Sequence, residues 1–109
     1  MTDRQERLAR NETLFRSVNE RVEEVVQPGP NEEIDFLCEC GDDNCVEKVT
    51  LTRRDYEQVR QDGAQFAVIP GHEIPEIENV IMRGEGDRFL VVRKHPEESV
   101  IAHETDPRA

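Results

Sequence analysis

Three cysteines within eight positions, and none elsewhere, constrain this chain more than any other feature. They stand in Phe36-Leu-Cys38-Glu-Cys40-Gly-Asp-Asp-Asn-Cys45-Val46, so Cys38, Cys40 and Cys45 follow the spacing C-x-C-x4-C, with Gly41 directly after the second thiol. Such a stretch makes a tight loop whose sulfurs can converge on one ion. An odd number of thiols cannot pair fully within the chain. The charged start, Met1-Thr-Asp-Arg-Gln-Glu-Arg, lacks the apolar run of a signal peptide, so the chain is expected in the cytoplasm. In that reducing compartment clustered cysteines serve as ligands more readily than as disulfides.

Tetrahedral zinc accepts three cysteines and one histidine as readily as four cysteines. The fourth donor is therefore sought at His72, in the turn Pro70-Gly71-His72-Glu73, which a folded sheet can return to the loop. Cys38, Cys40, Cys45 and His72 are the candidate ligands of a Zn2+ ion. His95 and His103 are weaker candidates because they belong to the charged C-terminal region, and Asp42 or Asp43 could also close the tetrahedron. Iron–sulfur ligation lacks its fourth cysteine. The C-x-C pair is shorter than the usual C-x2-C knuckle, so zinc is better indicated than its geometry.

A metal cross-link suits the composition. The chain has 109 residues, 35% of them apolar, 36% charged and none of them Trp, which leaves a small core for one domain with at most an appendage. The formal charge of −11 is uneven: positions 31–48 hold seven acids against Lys48, around the cysteines. Such a segment repels polyanions, and no basic face is evident that would release counterions from phosphate, so no nucleic-acid partner is expected. No apolar run reaches the length of a membrane span. A basic protein partner fits the acidic segment better.

The spacing predicts an amphipathic helix in the segment 1–27, running from Asp3 to Val26. Leu8, Phe15, Val18, Val22 and Val25 line one side, Leu14 and Val26 widen the stripe, and Glu6/Arg10 and Glu12/Arg16 sit one turn apart on the solvated side. Gln27-Pro28-Gly29-Pro30 ends it. The stripe can dock on the domain's own sheet or pair with a partner chain. With Asn11 at a seam position and fewer than three heptads, an independent coiled coil is not expected.

A zinc-binding α+β domain is expected over 31–95. Ile34, Phe36, Cys38 and Cys40 alternate as a strand, and Cys45 to Leu51 make a second, the two forming a hairpin-like knuckle in which loop amides can bond the thiolates. Thr52-Arg-Arg-Asp55 is a capping box for a short helix to about Asp62, with Tyr56 and Val59 inward. Phe66–Ile69 reads as a buried strand, and Val80–Met82 and Phe89–Val92 as a hairpin. The whole is an α+β fold: a long N-terminal helix, a small, mainly antiparallel sheet, a short helix and a zinc knuckle. Positions 96–109, polar and punctuated by Pro96 and Pro107, read as a flexible tail.

The motif Cys38-x-Cys40-Gly41…Cys45, followed by Val49-x-Leu51-Thr52-x3-Tyr56-x2-Val59-Arg60 and by Phe66-x-Val68-x-Pro70-Gly71-His72-Glu73, resembles a group of small uncharacterised bacterial proteins common in actinobacteria. The likeness spans about Arg10 to Lys94. It implies that the cysteines and the Pro-Gly-His-Glu turn belong to one unit, and it carries no activity.

Catalysis would need an open position on the metal and a base beside it. Glu73 is the one candidate base, yet neither its spacing to His72 nor that of the cysteines meets the zinc deaminase signature. No nucleophile elbow, phosphate loop or dinucleotide fingerprint is present. The expected function is a non-enzymatic interaction or regulatory module, with a protein partner or self-association through the N-terminal helix. A redox-responsive zinc–thiolate switch is the alternative, opposed by carboxylates that raise thiol pKa values, and a small zinc hydrolase comes after it.

Overall fold

Helix α1 occupies Asp3–Val26, nearly a quarter of the chain, in a computed structural model that describes residues 3–108. Positions 1, 2 and 109 lie outside the described residues, and with them the ends of the expected helical segment and tail. Gln27, at φ 51°, turns into the left-handed region and its N–H donates to Glu23 O at 2.9 Å, closing the helix before Pro28.

Strands β1 (Glu33–Leu37) and β2 (Lys48–Thr52) pair antiparallel, with Ile34 opposite Leu51 and Phe36 opposite Val49. Thr52 then caps α2 (Arg53–Val59), its hydroxyl accepting the Asp55 N–H at 3.1 Å, and Tyr56 and Val59 are buried as the sequence predicts. A second antiparallel sheet contains β3 (Gln65–Val68), β4 (Glu78–Arg83) and β5 (Leu90–Lys94) in the order β3-β5-β4. The architecture is α+β, with the strands divided between two small sheets.

Central strand β5 explains how so few apolar residues suffice. Val91 joins Phe36, Leu51, Tyr56 and Phe89 in one core cluster, and Phe36 stacks on Tyr56 with ring centroids 4.3 Å apart. Its neighbours Leu90 and Val92 point the other way, into a cluster with Phe66, Val68, Cys38 and Cys40. Alternation along one strand thus serves two cores.

Two expectations are corrected. Positions 96–104 are not a flexible tail but helix α3 (Pro96–Glu104). Pro96 stands in its first turn, where a missing N–H costs nothing, and Glu97 and Glu98 follow where carboxylates favour the helix dipole. Beyond the helix, Asp106 bonds Arg60, and Arg108 reaches Glu57 and Glu20.

The docked face of α1 is also different from the expected stripe. Its buried residues are Glu12, Arg16, Asn19 and Glu23, one turn apart in sequence, whereas Leu14, Val18, Val25 and Val26 are exposed. Leu8, Phe15 and Val22 are half-buried along one flank. Glu12 and Arg16 form no surface pair: Glu12 meets Lys94, and Arg16 donates to Gly63 O (2.6 Å) and Ala102 O (2.8 Å). Hydrogen bonds to groups on β5, α3 and the α2–β3 turn hold the helix down, with its half-buried apolar flank beside them.

Candidate metal centre

Cys38 and Cys40 follow the last residue of β1, Cys45 precedes β2, and His72 sits on the turn after β3. Pairing of β1 with β2 brings the first three together, and the return of β3 supplies the fourth. One ligand atom from each of Cys38, Cys40, Cys45 and His72 falls within 4.8 Å of all the others. His72 Nδ1 lies 3.7 Å from Cys38 Sγ and 3.5 Å from Cys45 Sγ. Zinc bonds of about 2.3 Å to sulfur and 2.0–2.1 Å to nitrogen put tetrahedral neighbours roughly 3.5–3.8 Å apart, so these separations suit one ion. All three cysteines are free thiols.

The backbone supports the sulfurs. Ile69 N–H donates to Cys38 Sγ at 3.3 Å, and the Asp42 and Glu47 amides, each two residues past a cysteine, donate to Cys40 and Cys45. Such bonds orient thiolates and disperse their charge. The interaction between the Cys38 and Cys40 thiols draws Cys40 down to about 5 and pushes Cys38 up. Burial is the first cause of the rise at Cys45.

The loop is seated on α1. Gly41 has φ +83°, and a Cβ there would come within 2.9 Å of Leu8 O and of Glu12 Cγ, so glycine is required both for the turn and for the approach. Asn11 Nδ2 donates to Gly41 O at 2.9 Å. Gly71, φ +94°, turns the chain ahead of His72, and its N–H donates to Glu73 Oε1 at 2.6 Å.

The other candidates lie apart from the sulfurs. His95 Nε2 is 3.3 Å from Asn79 Oδ1, His103 is 3.6 Å from Asp62, and Asp42 Oδ1 accepts the Asn44 N–H. Asp43 is exposed and, like Asp42, outside the ligand group.

A residue that sequence reasoning overlooked lies between two of the cysteines. Glu39 is fully buried, and its carboxylate accepts from Asn19 Nδ2 (2.8 Å), Tyr56 OH (2.8 Å) and Ala67 N–H (3.0 Å). Burial raises its pKa while these three donors oppose the rise. Asn19 also exchanges two hydrogen bonds with the Leu37 backbone, at 2.7 and 2.9 Å. The alternation expected from the sequence separates Glu39 from Cys38 and Cys40, which was the available signal, although β1 itself ends at Leu37.

Compared with known protein families, curated proteins and solved structures, the chain matches none. Among the described residues no helix is long and apolar enough to cross a membrane.

Proposed function

We propose that this protein is a small zinc-stabilised interaction or regulatory module without catalytic activity, its ion held by Cys38, Cys40, Cys45 and His72. The observation that carries the reading is the convergence of three sulfurs and one imidazole nitrogen within 4.8 Å. That donor set is the one tetrahedral zinc prefers in structural sites, and it fills the position that a catalytic zinc keeps for water. Glu73, the candidate base, is engaged by the Gly71 amide. When bound, the ion supplies a cross-link between the β1–β2 knuckle and the turn after β3. The exposed Asp42, Asp43 and Glu47 beside it offer a basic partner an acidic surface.

Elemental analysis of protein purified without chelator tests the reading. Zinc at about one ion per chain is expected, and chelation should remove several kcal/mol of stability. In a domain this size that corresponds to a fall in Tm of more than about 10 °C. Absence of stoichiometric zinc, or an unchanged Tm after chelation, overturns it.

A further inference from the structure

The apolar stripe of α1 is wider than the body beneath it. Leu8, Phe15 and Val22 are half-buried on one flank, while Leu14 is 57%, Val18 37% and Val25 66% exposed. The exposed residues Arg7, Leu14, Val18, Arg21 and Val25, with the half-buried Asn11 that also bonds Gly41 O, keep a heptad seam advancing by four, three, four, three and four.

We infer that this outward face of α1 binds the same face of a second copy of the chain, antiparallel. The charges select both occupant and direction. A parallel, in-register pair would set Arg7 on Arg7 and Arg21 on Arg21 in the seam. The antiparallel pair that sets Leu14 across from Val18 puts Arg7 across from Val25 and Asn11 across from Arg21, with no like charges opposed. In the same register the flanking positions beside the seam bring Arg10 of each copy to Glu24 of the other, and Ser17 to Ser17. The remaining flank, Leu8, Phe15 and Val22, continues the apolar surface from each body. Each chain carries a formal charge of −11, so two copies repel over most of their surface. On the outward face of α1 the cations Arg7, Arg10 and Arg21 interrupt that acidity. Arg10 and Glu24 are both exposed, and Glu24 pairs with Arg21 of its own helix at 3.2 Å.

This inference does not rest on the zinc reading, because α1 contributes no ligand, and it names the partner that such a module would have. Sedimentation equilibrium of the full-length protein tests it. A dimer is expected. Val18→Glu should weaken it by on the order of tenfold or more, leaving metal content and Tm near the parent values in dilute protein, since Val18 belongs to neither core cluster. Arg10→Glu and Glu24→Arg should each weaken association, and the two together should restore it. A monomeric parent at all accessible concentrations overturns the proposal, as does a dimer indifferent to Val18→Glu. A double reversal no better than the single ones overturns the antiparallel register.

Discussion

Lys94 shows how much of this fold rests on single polar side chains. Its ammonium, 3% exposed, bonds Glu78 at 2.6 Å and also Glu12, both carboxylates being equally buried. Two buried carboxylates thus share one ammonium. Burial accordingly raises Glu12 from 4.5 to about 7, with Lys94 opposing. A carboxyl raised in the folded state binds a proton there that the unfolded chain has released. Its contribution to stability is therefore complete below 4.5 and is lost as pH rises through about 7. Lys94→Met removes the only cation of the triad. Near pH 8 it should destabilise the fold by about 3–5 kcal/mol, because two buried carboxylates lose the ammonium they share. Near pH 5.5 the loss relative to the parent should be smaller, a proton on Glu12 replacing part of what the ammonium supplied. Urea midpoints of parent and variant at the two pH values check this, and an equal loss at both would contradict the account. Comparing the two at each pH cancels any change at the metal.

Among the elements, α1 separates what periodicity can reveal from what it cannot. Its existence and span were legible, because Leu8, Phe15 and Val22 recur at helical spacing and Pro28 ends the run. Its docked face was not, because a hydropathy pattern gives no weight to a residue whose partners are distant backbone carbonyls. Arg16 is fully buried, bonds Gly63 O and Ala102 O, and lies with its guanidinium 4.6 Å above the Phe66 ring. It ties α1 at once to α3 and to the turn before β3. The α2 cap was legible because Thr52 and Asp55 act within one turn, β1 and β2 because alternation is local, and β3 to β5 because short apolar runs between turns mark strands. Helix α3 was missed because Pro96 was read as a break rather than a start, and because Ala102 is its only buried residue. Arg16→Met should cost about 2–5 kcal/mol, since two buried carbonyls lose their donors. Val25→Ser, one of the expected stripe, should stay within about 0.5 kcal/mol in dilute protein. Chemical denaturation of the two variants decides, and the reverse order would restore the apolar stripe as the docking face.

At the scale of the whole molecule, the metal centre and the packing of α1 are one structure. Cysteine clustering and a turn histidine made this group of four, which could hold a metal ion, legible from sequence, because few residue types ligate metals. Nothing comparable marked Glu39, whose role arises only when α1, α2 and β3 meet behind the knuckle. With Glu39 between Cys38 and Cys40 just past the end of β1, the backbone that orients the sulfurs also presents a carboxylate to Asn19, Tyr56 and the Ala67 amide. Release of the ion would free that strand end to move, and each of those bonds depends on its position. Loss of metal should therefore spread beyond the loop. Hydrogen exchange followed before and after chelation should show faster exchange at the Leu37 amide, which donates to Asn19 Oδ1, and at the Ala67 amide, which donates to Glu39 Oε1. The Asp55 amide, held by Thr52 within its own helical turn, should change least. If deprotection stays confined to positions 40–46, the knuckle is a local clip and the fold behind it is independent of the ion. If it reaches Leu37 and Ala67, occupancy of the site governs how firmly α1 is held, and with it the surface that the helix presents.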